Sequence, residues 1–181
     1  MTFEFAETSI LGLYKITPLV FQDERGFFME VYSKAAFQPV GIMGDLVQMN
    51  HSRSIRGVVR GLHFQKDPYA QAKLVRCSFG EVFDVAVDLR RNSSSFGKWV
   101  GLVLSESNKN LLYIPRGLAH GFQAISEIAE VQYCADNIYA PNHEAGLAWN
   151  DPQLSIKWPI EPPLLSKRDK AWPELSRLIL D

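Results

Sequence analysis

The chain is short of cysteine. Its two thiols, Cys77 and Cys134, cannot build a disulfide framework, and both lie inside apolar strand-like runs, as free thiols of a cytoplasmic protein do. Charge of one sign is not in excess. The formal net charge of -1 argues against nucleic acid as the main partner, while a local basic cluster can still hold a small anion. No apolar run is long enough to span a membrane, and Met1 to Ile10 carries Glu4 and Glu7 without an apolar signal core. Neither membrane attachment nor secretion is expected, so the Asn92-Ser93-Ser94 sequon reads as coincidence. Repeats and low-complexity tracts are missing as well.

Helical periodicity is also nearly absent. What remains, in 181 residues that are 46% apolar and 22% charged, is a series of short strand-like stretches separated by turn signals. They run over Leu11 to Val20, Phe27 to Tyr32, Leu46 to Asn50, Gly57 to Gln65, Lys73 to Phe79, Val82 to Leu89, Lys98 to Leu104, Leu111 to Ile114 and Glu130 to Ala135. Ser33 to Phe37 suits one helical turn, and Pro173 can open a short helix through Leu180. In Val82 to Leu89 strict alternation puts Phe83, Val85, Val87 and Leu89 on one face and Val82, Asp84, Ala86 and Asp88 on the other. The expected fold is all-β: one domain over residues 1–181, an antiparallel sandwich or barrel whose inner face need not be dry.

Polar groups of catalytic type gather on Arg60-Gly61-Leu62-His63-Phe64-Gln65-Lys66, with Gln48, Asn50 and His51 before it and Lys73 and Arg76 after it. Alternation sets Arg60 and His63 on opposite faces of one strand, so both can line a site only if the strand bulges, with Gly61 the natural place. Pro115-x-Gly117-x-x-His120 has the spacing of the second metal motif of cupin jelly rolls. The first such motif needs His-x-His, but Phe64 and Gln65 follow His63. Two imidazoles hold a metal weakly, so a cupin barrel without a metal is expected. His63 is then a candidate general base, and Lys73 and Arg60 are candidate oxyanion stabilisers. Tyr133 is either a proton donor or a core aromatic.

Taken in order, these residues resemble the dTDP-4-dehydrorhamnose 3,5-epimerase family. The similarity runs through Arg25-Gly-Phe-Phe-x-Glu30, Val47-Gln48-x-Asn50-His51-Ser52, Arg60-Gly-Leu-His63-Phe-Gln, Gln71-Ala-Lys73-Leu-Val-Arg76, Val82-Phe-Asp84-Val-Ala-Val-Asp88-Leu-Arg90, Ile114-Pro-x-Gly117-x-Ala-His120-Gly-Phe122, Tyr139-Ala-Pro, Glu144 and Trp149-Asn-Asp151-Pro. It implies a cytoplasmic jelly-roll homodimer with no metal or organic cofactor, acting on a dTDP-4-keto-6-deoxyhexose. It implies His63 as base, Asp169 as its carboxylate partner and Tyr133 as the opposing acid, with Lys73 and His120 about the reacting sugar. Gln48, Asn50, Arg60, Tyr139, Glu144 and Arg168 would contact the nucleotide sugar, and Arg25 and Glu30 would reach it from the neighbouring subunit. Three positions depart from the family pattern: Met49 stands for Asp, Cys134-Ala135 for Lys and a hydroxyl residue, and Arg168 for Lys. They bear on whether C3, C5 or both are inverted. A metal-dependent cupin enzyme and a catalytically silent sugar-binding cupin are the rival readings.

Overall fold

The computed structural model describes residues 2–42 and 44–179. Two antiparallel sheets face each other. The first has the order β1-β2-β10-β7-β12-β5, from Phe3–Glu7, Tyr14–Pro18, Leu111–Ile114, Lys73–Phe79, Ile128–Ala135 and Gln48–Ile55. The second has the order β13-β6-β11-β8-β9, from Glu144–Gly146, Val59–Gln65, Leu118–Ala124, Glu81–Asp88 and Trp99–Ser105. A separate hairpin pairs β3 (Val20–Asp23) with β4 (Gly26–Met29), and one helical turn, α1, covers Lys34–Phe37. This is the expected antiparallel jelly-roll barrel.

Three apolar clusters set the layers. Val75, Cys77, Val82, Ala86, Leu112, Phe122 and Val131 meet between the sheets. Val85, Val87, Leu62 and Phe64 face outward and are covered by Leu147, Leu154, Ile156 and Trp158 of the C-terminal stretch. Phe3, Ile16, Leu74 and Leu111 cover the other outer face together with Phe37. Both faces of β8 are therefore buried, with the two side-chain sets expected from its alternation. Asp84 and Asp88 belong to the inner set and are fully buried.

Other boundaries differ from expectation. Leu11 to Val20 holds two strands, β2 and β3, and β1 precedes them. β5 runs on through Ser52, Arg53 and Ser54, whose polarity reads as loop but which pair along β12. Among the described residues from Pro173 on, the one helical piece is a 3-10 turn at Leu175–Arg177 in place of an α-helix, and Leu180 lies outside the described residues. The local pattern lost to tertiary contacts here, since Ala148 N–H binds the Pro173 carbonyl and Leu175 N–H binds Asp151 Oδ2. No helix among the described residues is long and apolar enough to cross a membrane.

Candidate active site

Gly61 is where β6 bulges. Across to β11, His63 pairs with His120 and Arg60 with Phe122, so Gly61 and Leu62 together stand opposite Gly121 alone. Gly61 has φ +124°, and a Cβ there would stand 2.6 Å from Gly121 Cα. The extra residue restores Arg60 to the side of the sheet that His63 faces. Both line one cavity of about 390 Å³ with Asn50, Lys73, His120, Tyr133, Arg168 and Asp169. Inward-facing positions of β5, β6, β7, β11 and β12 thus converge on one site.

His63 Nε2 lies 2.5 Å from Asp169 Oδ1. Ser166 Oγ donates to Asp169 Oδ2 at 2.8 Å and accepts the Asp169 backbone N–H at 3.0 Å. Burial draws the His63 pKa below its ordinary value; the Asp169 hydrogen bond and charge oppose this, and Lys73 and Arg168 add to it. The imidazole is therefore largely neutral at pH 7. Beside it, His120 Nε2 stands 3.0 Å from both oxygens of buried Asp84. Lys73 is drawn down to about 8 by burial, against the pull of Asp84 and Glu144. Its ammonium lies 5.5 Å from the Tyr133 ring centre. Burial, with Glu144 and Tyr139, pushes the Tyr133 phenol up, so it is protonated at neutral pH.

Gln48, Tyr139 and Glu144 do not line the cavity but are hydrogen-bonded in a chain to Asn50 and Arg168, which do. Glu144 Oε2 accepts from Tyr139 Oη and from Arg168 Nη1, both at 2.8 Å. Gln48 takes the Tyr139 backbone N–H at 2.8 Å and donates to Asn50 Oδ1 at 3.1 Å. Asn50 lines the cavity, and its Nδ2 is buried without a hydrogen-bond partner. Arg60 is held by Ser54 Oγ and the Arg53 carbonyl, at 3.0 and 3.1 Å. Arg25 is not brought to the cavity within one chain: it sits on the β3–β4 turn, bound to Asp23. Glu30, just past β4, does not line the cavity either. Among the described residues no group of three or more His, Cys, Asp or Glu side chains is arranged to hold a metal ion.

The profile of the dTDP-4-dehydrorhamnose 3,5-epimerase family matches residues 7–177. This chain belongs to that family. It is 51% identical to the dTDP-4-dehydrorhamnose 3,5-epimerase of Escherichia coli K12 over 174 residues, 95% of this chain and 94% of the relative. The crystal structure of the enzyme of that name from Elizabethkingia anophelis NUHP1 superposes with a TM-score of 0.94 at 46% identity, covering 97% of this chain and 98% of that one. A dTDP-6-deoxy-D-glucose-3,5-epimerase from Legionella pneumophila, solved with dTDP-4-keto-L-rhamnose, gives a TM-score of 0.94 at 43% identity, covering 98% and 95%. The chain is an isomerase of this epimerase type. Two of its departures from the family pattern lie away from the cavity. Met49 and Cys134 are paired across β5 and β12 and line a separate groove with Val31, Tyr32 and Leu74. The third, Arg168, is in the cavity wall.

Asp84 and Ser166 were missed by reading the sequence. Asp84 carried a usable signal, since a carboxylate on the inner face of an otherwise apolar strand needs a partner. Ser166 carried none beyond its place three residues before Asp169.

Proposed function

We propose that the chain converts dTDP-4-dehydro-6-deoxy-D-glucose to dTDP-4-dehydro-L-rhamnose by inverting C3 and C5, with His63 as base, Tyr133 as acid and neither metal nor organic cofactor. The observation that supports it most is the convergence of a carboxylate-bound imidazole, a phenol and a half-buried ammonium on one cavity. The C4 ketone acidifies the C–H bonds at C3 and C5. With Asp169 ionised, Nε2 of His63 carries the hydrogen, and the lone pair left on Nδ1 takes the proton from carbon. The enolate oxygen that forms is met by Lys73 and by His120, whose ring Asp84 orients. Tyr133 returns a proton to the opposite face and is reprotonated from water, while the His63 imidazolium gives its proton up to water, so both groups are reset for the second carbon. General-base and oxyanion contributions of about 10²–10⁴-fold and 10²–10³-fold suit such a site. Asn50, Gln48, Arg60, Tyr139, Glu144 and Arg168 hold the nucleotide sugar, with the Asn50 amide supplying its free donor. The test is NMR of the substrate with the enzyme in D₂O. Deuterium should enter at both C3 and C5 with inversion at each. Exchange confined to one carbon would assign a C3-only or C5-only epimerase.

The kcat/KM profile should show two limbs. The acid limb follows deprotonation of His63 below its ordinary range. The alkaline limb falls near pH 8, as Lys73 loses the charge that meets the enolate. Lys73→Arg keeps a cation at all accessible pH and should abolish the limb near 8, whatever it costs at the plateau. An unchanged alkaline limb in that variant would assign it to another group.

Residues 1–181 act as one epimerase domain, in the cytoplasm, where Cys77 and Cys134 stay free thiols. We also propose a homodimer in which the β3–β4 hairpin reaches the neighbouring subunit and brings Arg25 and Glu30 to its nucleotide sugar. The hairpin exposes Phe21, Phe27 and Phe28, and the free edge strand β5 exposes Met49 and Ile55. Sedimentation should give a dimer, and Arg25→Ala should raise KM more than it lowers kcat. A fully active monomer would refute this arrangement.

A further inference from the structure

Gly146 lies directly opposite His63 in the β13–β6 ladder. A side chain at that position would stand beside the imidazole, since opposed residues bring their Cβ atoms within about 5 Å. Gly146 has none, and the space is taken by Trp172. A Cβ built on Gly146 would fall 2.5 Å from Trp172 Cδ2 and 2.6 Å from Cε2. The indole meets the His63 ring edge-on, with centroids 6.0 Å apart and planes at 70°. Trp172 follows the turn Asp169–Ala171 that carries the carboxylate partner. Just beyond it, Pro173 and Leu175 are tied to Ala148 and Asp151. Asp151 is itself fixed by the Gln153 and Leu154 backbone N–H groups. The indole Nε1–H is buried and has no partner, so no hydrogen bond of its own accounts for its place.

We propose that Trp172 is a positioning residue for the reaction: seated over the bare backbone of Gly146, it closes the flank of His63 and keeps water off the base. This rests on His63 being the base. The contact is apolar, so its effect is on hydration and orientation of the ring rather than on its charge partners. Those partners are Asp169 and Arg168 on the C-terminal segment and Lys73 on β7, while His120 of β11, bound to Asp84 of β8, faces the same cavity. Burial is the largest cause of the lowered His63 pKa, so admitting water raises it.

The experiment compares Trp172→Ala, Trp172→Phe and His63→Asn with the wild type. Kinetics across pH are read together with NMR titration of the His63 ring in the resting protein. Trp172→Ala should lower kcat about tenfold or more with KM nearly constant, because a slightly misplaced base is costly. Its acid limb and His63 titration should both move up toward the ordinary histidine value. Trp172→Phe, which still fills the space over Gly146, should restore most of both. If the alanine variant does not fold, Trp172→Leu, apolar but without a ring, takes its place with the same expectations. Wild-type kcat and an unmoved His63 titration in the alanine or leucine variant would overturn the inference. So would equal losses in the phenylalanine and alanine variants with no titration shift. Full activity in His63→Asn would instead overturn the reading of His63 as base, which separates the two failures.

Discussion

His63→Asn should abolish both solvent deuterium uptake and inversion at C3 and C5. Asparagine fills a similar volume and can still hydrogen-bond to Asp169, but it has no nitrogen that takes a proton at neutral pH. The loss should amount to the whole general-base contribution, about 10²–10⁴-fold. Tyr133→Phe should behave differently. Phenylalanine preserves the ring packed against the barrel core and the Lys73 contact but removes the hydroxyl. Inversion needs a proton delivered to the face opposite His63, so it should fail. Abstraction remains possible, and His63 can return a proton to the face it came from. Exchange without inversion is then expected, at a rate set by how often the imidazolium trades its proton with water. Proton NMR of the recovered sugar reads both quantities in one sample. Inversion at the wild-type rate in Tyr133→Phe would make Tyr133 a core aromatic, the other reading its strand position allows.

Much of this site can be read from local pattern because strands report their faces. Val85 and Val87 pack outward and Val82 and Ala86 inward, as alternation in β8 requires. The same rule exposed the conflict between Arg60 and His63, and the bulge at Gly61 resolves it. The C-terminal stretch obeys no such rule. Ser166, Asp169 and Trp172 lie on turns whose conformation is set by contacts with β6, β13 and Asp151, more than a hundred residues away for the first of these. No period in the chain encodes that placement. Asp169 was reached only through resemblance to a family, and Trp172 was not reached at all. Arg25 and Glu30 are a further case, since nothing in one chain brings them to the cavity. The role proposed for them depends on surface that a second copy would cover.

Asp169→Asn should cut turnover by about 10²–10⁴-fold while leaving KM close to that of the wild type. Asp169 stands apart from the residues proposed to hold the nucleotide; its oxygens face His63 Nε2 and Ser166 Oγ. In the proposed mechanism the carboxylate accepts from Nε2–H, so the basic lone pair sits on Nδ1, and it stabilises the imidazolium that forms. Asparagine removes the charge. If it also turns its NH₂ toward the ring, Nε2 must become the acceptor, and the hydrogen moves to Nδ1, where the base is needed. Either change slows abstraction. The acid limb gives a second signature. The Asp169 hydrogen bond and charge raise the His63 pKa, so their loss lets burial dominate and the limb should shift to lower pH. That is opposite to the shift expected for Trp172→Ala, although both variants are slow, so the pair separates a lost charge from admitted water. Ser166→Ala provides the graded control: it frees Asp169 Oδ2 without touching the charge, and should cost far less than Asp169→Asn. Turnover within a few-fold of wild type in Asp169→Asn, with an unmoved acid limb, would reject the dyad and leave the 2.5 Å contact a packing feature of the C-terminal turn.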